Sequence, residues 1–182
     1  LDPKDVKAWN NRGIAKKDKG DLEGAIEDYS QAIELDPKDV KAWNNRGIAK
    51  KDKGDHNGAI EDYTKVIELA PKYVDAWYNR GFVKRIKGDL DGAIEDLSRA
   101  IYLDPKYVSA WNNRGGAKSD KGDLDGAIED YSQAIELDPK HVNACYNRGT
   151  AKSDKGDLDG AIEDYSQAIE LDPKHVNACY NR

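Results

Sequence analysis

The chain has 182 residues, of which 35% are charged, and its 35 acidic and 29 basic residues give a formal net charge of -6. This acidic balance argues against general nucleic-acid binding, which needs a net basic footprint. No apolar run approaches the ~20 residues that a membrane-spanning helix needs, so no membrane contact is expected. The chain begins at Leu1 and contains no Met, which predicts that it is a piece of a longer protein.

Two helices are predicted at the start of the chain. The first runs roughly over residues 6–18, and the second follows Asp21, which suits an N-cap. Gly20 suits the left-handed position that ends the first helix, and Pro37 stops the second. The second helix has one apolar face, with residues at a spacing of three and four: Leu22, Ala25, Ile26, Tyr29, Ala32 and Ile33. The two helices therefore form an antiparallel hairpin with a tight turn.

This hairpin recurs along the chain with a period of 34 residues. The period is marked by the prolines Pro3, Pro37, Pro71, Pro105, Pro139 and Pro173. A single hairpin cannot bury its apolar face alone, so we expect the copies to stack. We predict one domain over 1–182, made of repeats 6–39, 40–73, 74–107, 108–141 and 142–175 and a partial sixth repeat, 176–182.

The repeat resembles the tetratricopeptide repeat (TPR), a 34-residue motif with Trp, Gly, Ala, Tyr and Pro at fixed places. The first copy matches it at Trp9, Gly13, Ala25, Tyr29 and Pro37. The resemblance implies an all-α fold, a right-handed superhelical solenoid of antiparallel helical hairpins whose first helices line the concave side. It also implies protein binding, because members of the family typically hold peptides or partner proteins in that groove.

Each first helix departs from the family pattern by carrying Arg before the glycine and Lys where Tyr is usual, as at Arg12 and Lys16. Both share a helical face with Trp9, and a buried guanidinium without a partner is costly. The lysine stems are expected to pack while their ammonium groups reach water. Each second helix offers carboxylates at the places of Glu27 and Asp28, so we expect a structural ion-pair ladder. Its members are Arg12, Arg46, Arg80, Arg114 and Arg148 with Asp28, Asp62, Asp96, Asp130 and Asp164.

A second ladder consists of the asparagines that precede these arginines: Asn11, Asn45, Asn79, Asn113 and Asn147. An Asn amide donates to and accepts from a peptide backbone at once. The resemblance implies that such a ladder can hold an extended peptide, and the order Asn-Arg-Gly is that of bacterial and archaeal-type arrays. The alternative is that Asn is common at this place without binding a ligand.

The third repeat carries an aromatic and aliphatic stripe, because Tyr78, Phe82 and Ile86 lie four apart, with Arg85 beside them. An exposed stripe of this kind marks a binding site, whereas the alternative is that it packs under the adjacent hairpin. The same face is bordered in the first two repeats by Lys7, Lys17, Lys41 and Lys51. We therefore expect the early repeats to prefer an acidic stretch of a ligand and the later repeats a neutral one.

Histidine and cysteine raise one alternative chemistry. His141 and Cys145 are four apart, a spacing that can suit a soft metal, and the pattern recurs in the partial sixth repeat. The simpler interpretation is that Cys145 fills the place of Trp9, so we expect no metal and no cofactor. No catalytic triad, phosphate loop or HExxH motif is present, so we predict no enzyme. Two unpaired thiols favour a reducing, cytoplasmic location.

Two functions from different classes follow from these patterns. The first is a protein-interaction scaffold that binds a peptide or partner segment in the concave groove. The second is a structural array that assembles with copies of itself, because the repeats are nearly identical. The chain starts in the tail of one hairpin and ends inside a first helix, so we expect stacking surfaces that lack polar caps at both ends.

Overall fold

The computed structural model describes residues 5–173, so the predicted partial sixth repeat lies outside the described residues. Within 5–173 the chain forms ten α-helices and no strand, which confirms the predicted all-α class. The helices belong to two compact units, Leu1–Gly88 and Asp89–Arg182. The single domain over 1–182 stays a prediction.

The first unit contains two complete hairpins and the first helix of a third. Its helices are α1 (Val6–Asp18), α2 (Leu22–Leu35), α3 (Val40–Lys53), α4 (His56–Leu69) and α5 (Val74–Ile86). Within this unit α1 packs on α2 and α3 on α4, while α3 also packs on α2 and α5 on α4. The first helices α1, α3 and α5 are neighbours along one side, which places equivalent residues of successive repeats next to each other.

The second unit starts with the second helix of a hairpin and adds two complete hairpins. Its helices are α6 (Leu90–Leu103), α7 (Val108–Asp120), α8 (Leu124–Leu137), α9 (Val142–Asp154) and α10 (Leu158–Leu171). The packing order matches that of the first unit, since α7 packs on α6 and α8, and α9 on α8 and α10.

The helix ends follow from local capping chemistry. Asp21 accepts a hydrogen bond from the Gly24 backbone N–H, and the same Asp cap begins every second helix of the described chain. Gly54 ends α3 with φ of 89°, a left-handed conformation that glycine adopts without strain. The N-terminal caps of the first helices vary more, because α3 is capped by Asp39 whereas α5 has no side-chain cap at Tyr73.

The core consists of thin layers of alanine and aliphatic residues around a buried tyrosine in most second helices. Tyr63 is 0% exposed, and its ring lies against the backbone of α3 at Gly47. A Cβ added at Gly47 would come within 2.8 Å of the Tyr63 ring, so only glycine allows this close approach. Because each layer is thin, stability depends on the contact between neighbouring helices rather than on one central core.

Two tyrosine hydroxyls of the first unit are buried without a hydrogen-bond partner among the described residues. Tyr29 and Tyr63 are both 0% exposed, and neither hydroxyl reaches a described polar group. Burial raises the pKa of Tyr29 to about 12 and that of Tyr63 further. In the second unit the hydroxyl of Tyr165 instead donates to Thr150 Oγ1 at 3.2 Å. The aliphatic Ile48 holds the corresponding place beside Tyr63, which explains the missing partner.

Replacing Tyr63 with Phe is expected to raise the free energy of unfolding by about 1 kcal/mol, because it removes an unsatisfied buried hydroxyl. The matched change Tyr165→Phe is expected to lower it by about 1 kcal/mol, because it removes a hydrogen bond. Urea denaturation of both variants, followed by circular dichroism, checks the difference. A loss of stability in both variants would contradict this account.

Candidate functional site: the first-helix face and the ladder beneath it

Buried aspartates pair with arginines across each hairpin of the first unit. Arg12 donates from Nε and Nη2 to the two oxygens of Asp28, both at 2.7 Å. Arg46 makes the same two-pronged contact with Asp62 at 2.9 and 2.8 Å. The aspartates are 1–2% exposed, so these carboxylates depend on their partners for stability. The hydrogen bonds from Arg12 are the main reason why the pKa of Asp28 lies below its usual range.

The second unit repeats this geometry. Arg114 contacts Asp130 with both bonds at 2.7 Å, and Arg148 contacts Asp164 at 2.9 and 2.6 Å. The pairing of Arg80 with Asp96 would join residues of different units and stays a prediction.

A lysine completes each of these pairs, which corrects the expectation that the ammonium groups reach water. Lys50 Nζ lies 3.0 Å from Asp62 Oδ2, and the lysine side chain is only 16% exposed. The equivalent contacts of Lys16, Lys118 and Lys152 are 3.0, 3.0 and 2.9 Å. The ammonium group lies beside the carboxylate because a carboxylate that is 1–2% exposed is not screened by water. Such a carboxylate accepts contacts from two cations.

Hydroxyl groups link this ladder to the preceding hairpin, a feature that the sequence analysis missed. Arg46 Nη1 donates to Ser30 Oγ at 3.0 Å, and Arg80 Nη1 donates to Thr64 Oγ1 at 3.0 Å. In the second unit, Arg114 and Arg148 reach Ser98 and Ser132 at 3.0 and 3.1 Å. The regular offset of 16 residues between a second-helix hydroxyl and the next arginine was the signal available in the sequence.

Tryptophan rings lie against the guanidinium groups of the arginines. The Arg46 guanidinium lies 4.7 Å from the centre of the Trp43 ring, within the range of a cation–π contact. Trp43 is fixed in turn by a 3.0 Å hydrogen bond from Nε1 to the Pro37 carbonyl oxygen. In the fifth repeat, Cys145 replaces the ring and is 0% exposed, and burial raises the pKa of its thiol. This thiol is therefore part of the packing and not a reactive group.

Some amide groups of the asparagine ladder make hydrogen bonds within the protein. Asn45 Nδ2 donates to Asn10 Oδ1 at 3.2 Å, and Asn147 makes the same contact with Asn112 at 3.1 Å. Asn113 donates to the backbone of its own helix. Asn11 is exposed and Asn79 is half-buried. The amides are therefore not equivalent, and their part in ligand binding stays a prediction.

A depression of about 340 Å³ lies between α1 and α3 and contains part of the predicted groove. Its lining residues are Lys7, Asn10, Asn11, Ile14, Asp39, Lys41 and Asn45. Four of these, the two lysines with Asn11 and Asn45, were predicted as ligand contacts. The other predicted lysines, Lys17 and Lys51, face the neighbouring acids Asp18 and Asp52 at 3.7 and 3.3 Å. Their charge is locally compensated.

The stripe on α5 divides into a packed part and an exposed part. The Tyr78 and Phe82 rings stack with centres 6.4 Å apart, and Lys51 Nζ lies 5.9 Å from the Phe82 ring centre. Phe82 also packs partly against the cluster around Tyr63, as the packing alternative predicts. Ile86 is 50% exposed, and Arg85 beside it is half-buried.

Comparison with known families identifies the class of protein. A tetratricopeptide repeat profile matches residues 40–73, 74–107 and 142–175, and a TPR repeat profile matches 15–54 and 117–153. The chain belongs to the tetratricopeptide repeat family, which indicates a protein-interaction scaffold. No curated protein sequence matches the chain. None of the helices within 5–173 has the length and apolar character needed to cross a membrane.

Solved structures show the same fold. MamA protein is 30% identical, with a TM-score of 0.84 over 94% of this chain and 93% of MamA. YrrB, described as a TPR protein with an unusual peptide-binding site, is 26% identical, with a TM-score of 0.80 over 98% of this chain and 92% of YrrB. A MamA fragment from Desulfovibrio magneticus RS-1 is 23% identical and supports the fold alone, with a TM-score of 0.88 over 96% of this chain and 98% of that one.

Truncating one member of the buried ladder is expected to be far more costly than truncating an exposed pair. Arg46→Ala leaves the carboxylate of Asp62 with a single cation, so we expect the free energy of unfolding to fall by about 3 kcal/mol. Lys65→Ala removes an exposed pair with Glu68 and is expected to cost less than about 0.5 kcal/mol. Urea denaturation measures both, and equal losses would contradict the structural role of the ladder.

Proposed function

We propose that the chain is a non-enzymatic scaffold that binds an extended peptide segment along its first helices. The observation that carries this proposal is the depression between α1 and α3, where the exposed amide of Asn11 lies beside the exposed side chains of Lys7 and Lys41. In the first unit the peptide would run over α1, α3 and α5. In the second unit, Asn113 and Asn147 on α7 and α9 form the corresponding face.

The chemistry of this face suits a peptide. Asn11 offers both a donor and an acceptor, which matches the paired N–H and C=O of an extended main chain. Ile14 and Ile86 are 39% and 50% exposed, so apolar side chains of a ligand could be buried at two places in the first unit. The surface therefore combines polar groups for the main chain with apolar contacts, as peptide grooves do.

Peptides selected from a displayed random library on the immobilised chain test this proposal. Phe82→Ala, with the fold intact by circular dichroism, is expected to weaken binding by ~2 kcal/mol or more, the loss that marks a hot spot. Because Phe82 also packs in the core, the exposed Ile86→Ala and the polar Asn79→Ala serve as independent variants. Tyr102→Ala on α6 removes an aromatic that is 73% exposed elsewhere and is the matched control. Unchanged affinity in all three groove variants would show that the peptide does not bind on this face.

Assembly with copies of itself is the second candidate function, because the nearly identical repeats present the same kind of packing surface again and again. Arg12 has a side chain that is 50% exposed, against 15% for Arg46, and no described hydroxyl contacts its Nη1. It lines a depression of about 520 Å³ together with Trp9 and Ile26. In the second unit, Leu158 and Ile162 are 62% and 52% exposed. These are the surfaces that a stacked hairpin covers elsewhere.

Light scattering over a concentration series checks this candidate. If copies stack through these surfaces, Ile162→Glu should keep the protein monomeric at concentrations where the original chain assembles, because it places a charge in an apolar contact. Tyr102→Glu adds the same charge at an exposed site outside these surfaces and should leave assembly unchanged. A chain that stays monomeric at every concentration would eliminate this candidate.

A further inference from the structure

The floor of the depression between α1 and α3 is a chain of polar groups that provides one carboxylate with three N–H donors. Asp39 Oδ1 accepts from the backbone N–H groups of Lys41 and Ala42 at 2.9 and 3.2 Å. Its Oδ2 accepts from Asn10 Nδ2 at 3.3 Å, and Asn10 is only 7% exposed. The negative charge of Asp39 is therefore held by three N–H donors at the start of α3, where the helix dipole also stabilises it.

The lysines at the rim of this depression are not compensated in the same way. Lys7 and Lys41 are exposed, and neither side chain makes an ion pair with a described residue. Lys53, by contrast, lies 2.6 Å from Glu23. Two lysines and one acid, Asp39, line the depression, so its lining carries an excess of positive charge although the whole chain has a net charge of -6.

The second unit shows that the packing of two neighbouring first helices does not require these lysines. Its equivalent pair of first helices keeps the amide bridge, in which Asn147 donates to Asn112 at 3.1 Å. Ser109 and Asn143 stand there in the places of Lys7 and Lys41. The same packing therefore forms without either ammonium group, so the stability of the fold does not explain the lysines.

We propose that the depression between α1 and α3 binds an acidic side chain of the ligand peptide, with Lys7 and Lys41 as its cationic partners. This inference rests on the proposed function, because it names the chemistry of the segment that lies on the first unit. The proposed function makes the acidic group a side chain and not a chain terminus, because a main chain held by Asn11, which lines the same depression, would continue past it. Two ammonium groups attract a carboxylate most strongly at low ionic strength.

The test uses peptides recovered by display on the immobilised full chain, synthesised with a fluorescent label and an amidated carboxyl end. We expect the recovered peptides to carry Asp or Glu. Replacing those acids with Asn or Gln should weaken binding about tenfold or more at low salt. The double variant Lys7→Ser with Lys41→Asn, which copies the second unit, should lose the same factor for the acidic peptide and nothing for its amide counterpart.

A matched double variant controls for the change in net charge. Lys72→Ser with Lys106→Asn removes two exposed lysines from loops that do not line the depression, and should leave the affinity unchanged. Equal losses in both double variants would reduce the effect to general electrostatics and overturn the inference.

The remaining outcomes separate this inference from the function on which it rests. Peptides that bind but carry no acidic residue would overturn the acidic subsite and leave the scaffold function standing. Binding that requires a free terminal carboxylate would assign the subsite to a chain end and contradict the side-chain proposal. If no peptide from the library binds, both the inference and the peptide-binding function fail together.

Discussion

The structure depends on the need to satisfy one nearly inaccessible carboxylate in the second helix of each hairpin. Asp62 is 1% exposed, and Arg46 and Lys50 together provide its ion pairs. The same arginine donates to Ser30 of the preceding hairpin and lies over the ring of Trp43. A single buried charge thus fixes the two helices of one hairpin and links that hairpin to the one before it. Because breaking such a pair leaves a buried charge without its partner, the layer of arginines and aspartates tolerates little change.

The face of the first helices is under no comparable constraint, and its residues differ between repeats. The place of Ile14 in the first repeat is taken by Phe82 in the third and by Thr150 in the fifth. Each makes a different local contact, since Phe82 stacks on Tyr78 whereas Thr150 accepts from the Tyr165 hydroxyl. The repeats therefore share a common inner layer and differ on the surface proposed to meet a partner. A scaffold that recognises a particular segment needs such differences, because identical repeats offer a ligand no unique position.

The sequence predicts the fold well because the signals for it are local or strictly periodic. The apolar spacing, the Asp21 cap and the 34-residue step of Pro37 and its equivalents define each hairpin without any knowledge of tertiary contacts. The link from Arg46 to Ser30 was missed because it joins residues of different hairpins, and helical periodicity indicates only which face a residue is on. The site was harder to predict for the same reason. The contact of Asn45 with Asn10 depends on how closely two first helices approach, which no single helix pattern specifies.

The central claim is that the buried carboxylate and its arginine stabilise the array as a pair and not as separate groups. A double-mutant cycle on Arg46→Leu and Asp62→Leu, measured by urea denaturation, tests it most directly. The account predicts that each single variant is strongly destabilised and that the double variant recovers part of the loss, because only the ammonium group of Lys50, which is 16% exposed, is then left without its partner. The resulting coupling free energy should be about 2 kcal/mol or more. Additive losses, with a coupling below about 0.5 kcal/mol, would contradict the claim that this pair holds the hairpin together.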